Sequence, residues 1–206
     1  MHQKQIPIIK AWWFFGLAAI GLIFAACQTT SISFRNVPLS PSGAQAGLKI
    51  SGFLNKPEGK GSFPALVLLH GGGGLKGPIT DFWPSYFNGL GYVTLSVDHY
   101  GARGMSRGTR EFTRGVTGKD ARTRDAYGAL DYLASQPFVD KNRIGVVGFS
   151  MGAITIHYFA GRSFKSPSGL NFKAGVGLSG NCRSMIPGPD MFPVLTLLGE
   201  KERSFT

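Results

Sequence analysis

The sequence predicts an α/β protein built on a mostly parallel sheet with helices on both faces. Three observations predict it: continuous apolar runs of strand length, helical patterns that alternate with them, and glycine-rich turns between the two. Ala65-Leu66-Val67-Leu68-Leu69 is one such run, and the segments Tyr92 to Val97 and Arg143 to Gly148 are others. A strand that is apolar at successive positions is buried on both sides, as strands are inside a parallel sheet covered by helices. Strands alternating with helices supply the crossover connections that parallel pairing requires.

Residues 1–26 stand apart from that pattern. Lys4 and Lys10 form a positive start, and Ala11 to Ala26 is an uninterrupted apolar run that includes Trp12, Trp13, Phe14 and Phe15. The run is shorter than the roughly 20 residues of a membrane-spanning helix and ends in small residues, so it reads as an export signal. Residues 27–46 are polar and carry proline, glycine and serine, which predicts a tether and lead-in loop ahead of a domain over 47–206.

Within that domain Leu48 to Leu54 alternates as a strand does. Asp81 or Thr80 can cap a helix carrying Phe82, Trp83, Tyr86, Phe87 and Leu90 on one face, with Pro84 tolerated in its first turn. Residues 101–118 form a Gly/Arg-rich connection longer than ordinary ones, which points to function or disorder. A helix follows from about Asp120 to Ser135, its stripe being Ala126, Ala129, Leu130 and Leu133. Ala153 to Ala160 reads as another helix, and Ala174 to Leu178 and Pro193 to Leu198 as two further strands.

Composition narrows the function classes. At 206 residues, 43% hydrophobic and 16% charged, the chain is one globular domain with enough length for a core. The formal net charge is +11, and the two lysines of residues 1–26 account for only a small part of it. Arg103, Arg107, Arg110, Arg114, Arg122 and Arg124 carry much of the excess, a charge that attracts anionic lipid, anionic substrate or nucleic acid. Nucleic acid is set aside, because the chain reads as exported and holds no recognised binding motif. No Cys or His pair has zinc-ligand spacing, so no metal is expected. With Cys27 and Cys182 the only two cysteines, a lipid on the first leaves no internal disulfide.

Gly148-Phe149-Ser150-Met151-Gly152 follows a predicted strand and precedes a predicted helix. A serine hydroxyl becomes a useful nucleophile only in an exposed, strained position, and the two glycines let strand and helix close on a sharp turn with Ser150 at its tip. The helix N-terminus behind it favours developing negative charge, and the Met151 amide is a candidate oxyanion donor. His70-Gly71-Gly72-Gly73-Gly74 resembles the HGGG-type esterase loop, in which Gly71 or Gly72 supplies the second donor. A flexible turn or a phosphate-binding nest is the other reading of the same glycines. A P-loop is excluded because no Gly-Lys-Ser/Thr follows.

From about Leu54 to Glu200 the chain resembles the dienelactone hydrolase family of α/β-hydrolases. The resemblance is carried by PALVLLHGGGGL, VDHYGARG, RDAYGALDYLASQPFVDKNRIGVVGFSMG and PVLTLLGEKE, in the family's order and spacing. It implies the α/β-hydrolase fold and cleavage of small esters or lactones without a cofactor. Ser150 stands where the family's type members carry Cys, which favours a serine esterase or lactonase. The resemblance puts the catalytic acid at Glu202 and a histidine farther on, beyond Thr206. The expectation is therefore a sheet lacking its last strand and helix, as a truncation or frameshift would give. His157 lies about 10 Å from Ser150 by helical rise. His70 is expected to organise the glycine loop, and His99 ends a neighbouring strand on an unsuitable side. Arg103 could clamp a substrate carboxylate. The competing reading is a non-catalytic, envelope-anchored binding protein with the same fold. Phe24-Ala25-Ala26-Cys27 resembles a bacterial lipobox, which implies acylation of Cys27. Gln28 after it implies an outer-membrane lipoprotein facing the periplasm.

Overall fold

A computed structural model of the chain describes residues 28–38, 47–162, 164–183 and 185–201. Its strands are β1 (Gln28–Arg35), β2 (Lys49–Lys56), β3 (Phe63–Leu69), β4 (Val93–Val97), β5 (Val139–Phe149), β6 (Gly175–Leu178) and β7 (Val194–Leu197). They form one sheet in the order β1-β2-β4-β3-β5-β6-β7. Pairing is antiparallel from β1 to β2 and from β2 to β4, and parallel across the rest. The helices are α1 (Phe82–Gly89), α2 (Arg110–Arg114), α3 (Val116–Ala134) and α4 (Met151–Phe159). This is the α/β-hydrolase arrangement that the sequence predicts.

The register decides which side chains share a face. Ala65, Val67 and Leu69 of β3 align with Val93, Leu95 and Val97 of β4 and with Ile144, Val146 and Gly148 of β5. That face meets Ala126, Leu130 and Leu133 of α3 and Ile156 and Phe159 of α4 in the main core. The opposite face presents Leu68 and Val147, covered by Trp83 and Phe87 of α1. Coverage there is incomplete: Leu195 and Leu197 of β7 are 56% and 48% exposed.

Four expectations change. Residues 28–35, expected within a tether, are edge strand β1, paired with β2 over its whole length. Its alternation puts Phe34 in the core and Ile32 against it, which is enough to dock a polar strand. Residues 39–46 of the expected tether, and the whole of 1–27 with its signal and Cys27, lie outside the described residues. The connection 101–118 contains a 3₁₀ turn (Gly101–Arg103) and α2, and α3 begins at Val116 rather than near Asp120. Asp81 stands at the N-cap of α1 but its side chain makes no capping bond. A cap side chain accepts from the second or third helical N–H, and the third residue here is Pro84, which has none. Finally, the aromatic residues of α1 do not share one buried face: Phe82, Tyr86 and Leu90 are exposed while Trp83 and Phe87 face the sheet.

The segment leaving β1 crosses α3 closely. Val37 and Arg124 exchange hydrogen bonds, N–H to carbonyl at 3.2 Å and Nε to carbonyl at 2.9 Å. At the crossing a Cβ on Gly128 would lie 2.5 Å from the Arg35 carbonyl oxygen and 2.8 Å from the Asn36 Cα. Gly→Ala inside a helix ordinarily stabilises by about 1 kcal/mol. Here backbone would have to move, and overpacking of that kind costs about 1–3 kcal/mol. Gly128→Ala is therefore expected to lower stability in urea denaturation. A variant more stable than the parent would show that β1 does not cross α3 at this contact.

Candidate active site

Ser150 sits between β5 and α4 with φ 51° and ψ −105°. Among the described residues the other non-glycine residue at positive φ is Ser179, at the end of adjacent β6. Such a conformation costs on the order of 1–3 kcal/mol and is held only where its surroundings over-determine it. They do so here. The Ser150 N–H donates to the Leu178 carbonyl at 2.8 Å, and its own carbonyl accepts from the Ile154 N–H at 3.0 Å. A Cβ on Gly148 would overlap the backbone of Gly152, and one on Gly152 would overlap the Leu69 carbonyl. Both motif glycines are thus needed to bring β5, β3 and α4 together beneath the serine, whose residue is exposed at the surface.

The glycine loop after β3 meets this turn. A Cβ on Gly71 would stand 3.5 Å from the Ser150 Cβ and 3.4 Å from the Phe149 carbonyl oxygen, so this residue borders the serine. Among the described residues, the amide N–H groups of Gly71, Gly72 and Met151 have no hydrogen-bond acceptor. His70 organises the loop. Its Nδ1–H donates to the Gly71 carbonyl at 2.7 Å, while Nε2 accepts the His99 backbone N–H at 3.2 Å. Burial and the neighbouring His99 drive His70 down to about 3, so the ring is neutral and its one proton is committed to Nδ1. The Gly71 carbonyl and the Gly72 N–H belong to one planar peptide and point opposite ways, so fixing the first aims the second.

Among the described residues no histidine is hydrogen-bonded to Ser150. His99 is fully buried, with Nδ1 2.9 Å from Asp125 Oδ2, and its Nε2 is buried without a partner. His157 uses both ring nitrogens, to the Asn181 carbonyl at 2.9 Å and to Thr196 Oγ1 at 2.9 Å. It thereby holds α4 to the loop after β6 and to β7. Glu202, the expected acid, lies outside the described residues.

Arg103 is not placed as a substrate clamp. Its guanidinium forks onto Asp125, at 2.8 Å to Oδ2 and 3.0 Å to Oδ1, and also donates to the His99 carbonyl at 2.7 Å. Asn36 Nδ2 adds a bond to Asp125 Oδ1 at 2.9 Å. Burial opposes ionisation of Asp125, but hydrogen bonds and charge from His99 and Arg103 outweigh it and hold the carboxyl below its usual value. A guanidinium occupied in this way has no fork left for a ligand. The sequence reading missed Asp125, and also Arg122. Arg122 is buried, bonded to Thr155 Oγ1 at 2.6 Å and to the carbonyls of Phe112 and Thr113. Neither was read as buried, although Ala126, Ala129 and Leu130 beside them marked the buried side.

The sheet order, the strained serine and the glycine loop are those of the α/β-hydrolase fold. The sequence pattern of the Prolyl oligopeptidase family matches residues 79–177. Dipeptidyl-peptidase 5 of Porphyromonas gingivalis is 29% identical over 119 residues, which cover 55% of this chain and 17% of that protein. Esterase FrsA of Klebsiella pneumoniae subsp. pneumoniae is 28% identical over 128 residues, covering 62% of this chain and 28% of that one. The chain thus spans less than a third of the length of either relative. A dienelactone hydrolase-like promiscuous phosphotriesterase from metagenomic libraries shares the fold with a TM-score of 0.63 at 22% identity, over 86% of this chain and 72% of that one. The dienelactone hydrolase of Anabaena variabilis gives 0.56 at 20% identity, over 84% and 74%. The chain has the α/β-hydrolase fold, with dienelactone hydrolase-like proteins among its structural neighbours.

Arg103→Met leaves the buried Asp125 charge without its cation, and breaking a buried pair from one side costs about 3–5 kcal/mol. A carboxyl held low contributes stability that is present above its ordinary value near 3.9 and is lost as pH falls through its folded value. Removing Arg103 raises the folded value, so acid unfolding should begin at higher pH than in the parent. Unchanged urea and acid unfolding in Arg103→Met would restore the substrate-clamp assignment.

Proposed function

We propose that this chain is a serine hydrolase acting on small esters or lactones. Ser150 Oγ attacks the substrate carbonyl, its proton passes to a general base, and the alcohol leaves with a proton returned to it. Water then cleaves the acyl-serine, releasing the acid and restoring the hydroxyl. The amides of Met151 and of Gly71 or Gly72 would receive the negative charge that develops on the carbonyl oxygen. No described histidine is hydrogen-bonded to Ser150. The dienelactone hydrolase resemblance assigns the role of base to a histidine that follows Glu202 in the family's order, with Glu202 orienting it.

One observation carries this reading: Ser150 is held exposed in a strained backbone conformation bordered by Gly71, and among the described residues the amides of Gly71, Gly72 and Met151 have no acceptor. A binding module gains nothing from that strain, whereas a nucleophile needs it to stand clear of the sheet. The names esterase and dienelactone hydrolase among its relatives agree with the substrate class. The test is hydrolysis of p-nitrophenyl acetate by the full chain against Ser150→Ala. Loss of the nucleophile is expected to bring the rate to the background of buffer. Equal rates in the two proteins would refute the assignment.

We also propose an envelope location through a lipid on Cys27, supported by the apolar run ahead of it and the lipobox resemblance. Expressed in a bacterial host, the chain should incorporate labelled palmitate, and Cys27→Ala should not. Labelling that survives the substitution would count against the anchor.

A further inference from the structure

We infer that Tyr100 is a positioning residue that holds the glycine loop in register with the Ser150 turn, so that the amides of Gly72 and Met151 face one point. The inference rests on the serine hydrolase reading and assigns a role to a side chain that the reading does not use.

Tyr100 follows β4 and is 2% exposed. Its hydroxyl donates to the Gly72 carbonyl at 3.0 Å and stands 3.4 Å from Met151 Sδ. One hydroxyl therefore touches Gly72 and Met151, two of the three residues whose amides are candidate oxyanion donors. The Gly72 carbonyl also accepts the Gly108 N–H at 3.1 Å, and the Gly71 carbonyl accepts the Gly74 N–H at 3.1 Å besides His70. Both peptide planes that flank Gly72 are consequently pinned, one through the Gly71 carbonyl and one through its own. The pinning matters because four consecutive glycines leave the backbone otherwise free to rotate. A Cβ on Gly108 would lie 2.5 Å from the Tyr100 hydroxyl, so glycine there lets the 101–115 segment close on the same point. Burial raises the phenol above its ordinary value, which keeps the hydroxyl a donor through neutral pH.

The ring is held independently of the hydroxyl. It packs edge-on against His70 at 4.7 Å between centroids and against Phe112 at 5.6 Å. Tyr100→Phe thus removes the clamp while retaining the packing. Its effect should fall on the transition state, where the oxyanion forms, and not on the ground-state complex.

The experiment compares the full chain with Tyr100→Phe in three measurements. The first is the rate at which a fluorophosphonate labels Ser150, followed by mass. In that step Ser150 Oγ bonds to phosphorus, fluoride leaves and the hydroxyl proton passes to solvent. The second is kcat and KM for p-nitrophenyl acetate, and the third is the thermal midpoint. Loss of one oxyanion donor costs about 10²–10³ in rate; loosening one should cost about ten-fold in labelling and in kcat. KM should stay within about two-fold, and the midpoint within about 4 °C. A parent that labels at Ser150 with a variant that labels equally fast would overturn the role of Tyr100 and leave the hydrolase reading standing. A variant whose midpoint collapses with its activity would make Tyr100 a structural residue and overturn the inference as well. A parent that does not label at Ser150 would overturn the hydrolase reading and this inference with it.

Discussion

Three backbone segments meet beneath Ser150 at separations that leave no room for a methyl group. Gly148 lies against Gly152, Gly152 lies against the end of β3, and a Cβ on Gly180 would overlap the Ala153 Cβ from the side of β6. This close approach lets a strand become a helix within one residue, and the positive φ of Ser150 is its geometric result. The glycine loop, the start of α4 and the ends of β3, β5 and β6 all take their positions from it. Strain at a single residue is sustained because packing and two backbone hydrogen bonds fix the atoms on either side.

Around that centre the charged groups act as internal struts. Asp125 gathers Arg103, His99 and Asn36, and so ties α3 to the end of β4 and to the exit from β1. Arg122 is held differently. Among the described residues no carboxylate lies within ion-pair distance of it; it is met instead by carbonyls at the C-terminal end of α2, by Thr155 and by the Phe112 ring. The Thr155 hydroxyl in turn donates to the Met151 carbonyl at 2.9 Å, which links this cation to the first turn of α4. Burial lowers the guanidinium to about 10, which still leaves it charged at neutral pH.

The sheet was legible where apolar runs are continuous, as in β3, β4 and β5, because burial on both faces leaves no other composition. β1 escaped notice because an edge strand needs only one buried face; in Gln-Thr-Thr-Ser-Ile-Ser-Phe-Arg the alternation of Ile32 and Phe34 was its whole signal. The Ser150 turn and the glycine loop could be read because their glycines answer to local steric demands. Asp125, Arg122 and the true employment of Arg103 could not, since their partners lie far away along the chain. The capping expectation at Asp81 failed for a local reason, the proline two residues into the helix.

Strand β1 has a directional consequence. It runs antiparallel to β2, and β2 runs antiparallel to β4, so Gln28 begins at the edge of the sheet where the parallel strands start. Ser150 lies at the opposite edge, where β5 ends. At about 3.3 Å per residue, a strand of five to eight residues separates the two edges by roughly 17–26 Å. A lipid on Cys27 would therefore be joined to the folded domain with no spacer, one residue before the pairing begins. It would bring the starting edge of the sheet to the bilayer and turn the serine outward, toward molecules dissolved in the compartment rather than those embedded in the membrane.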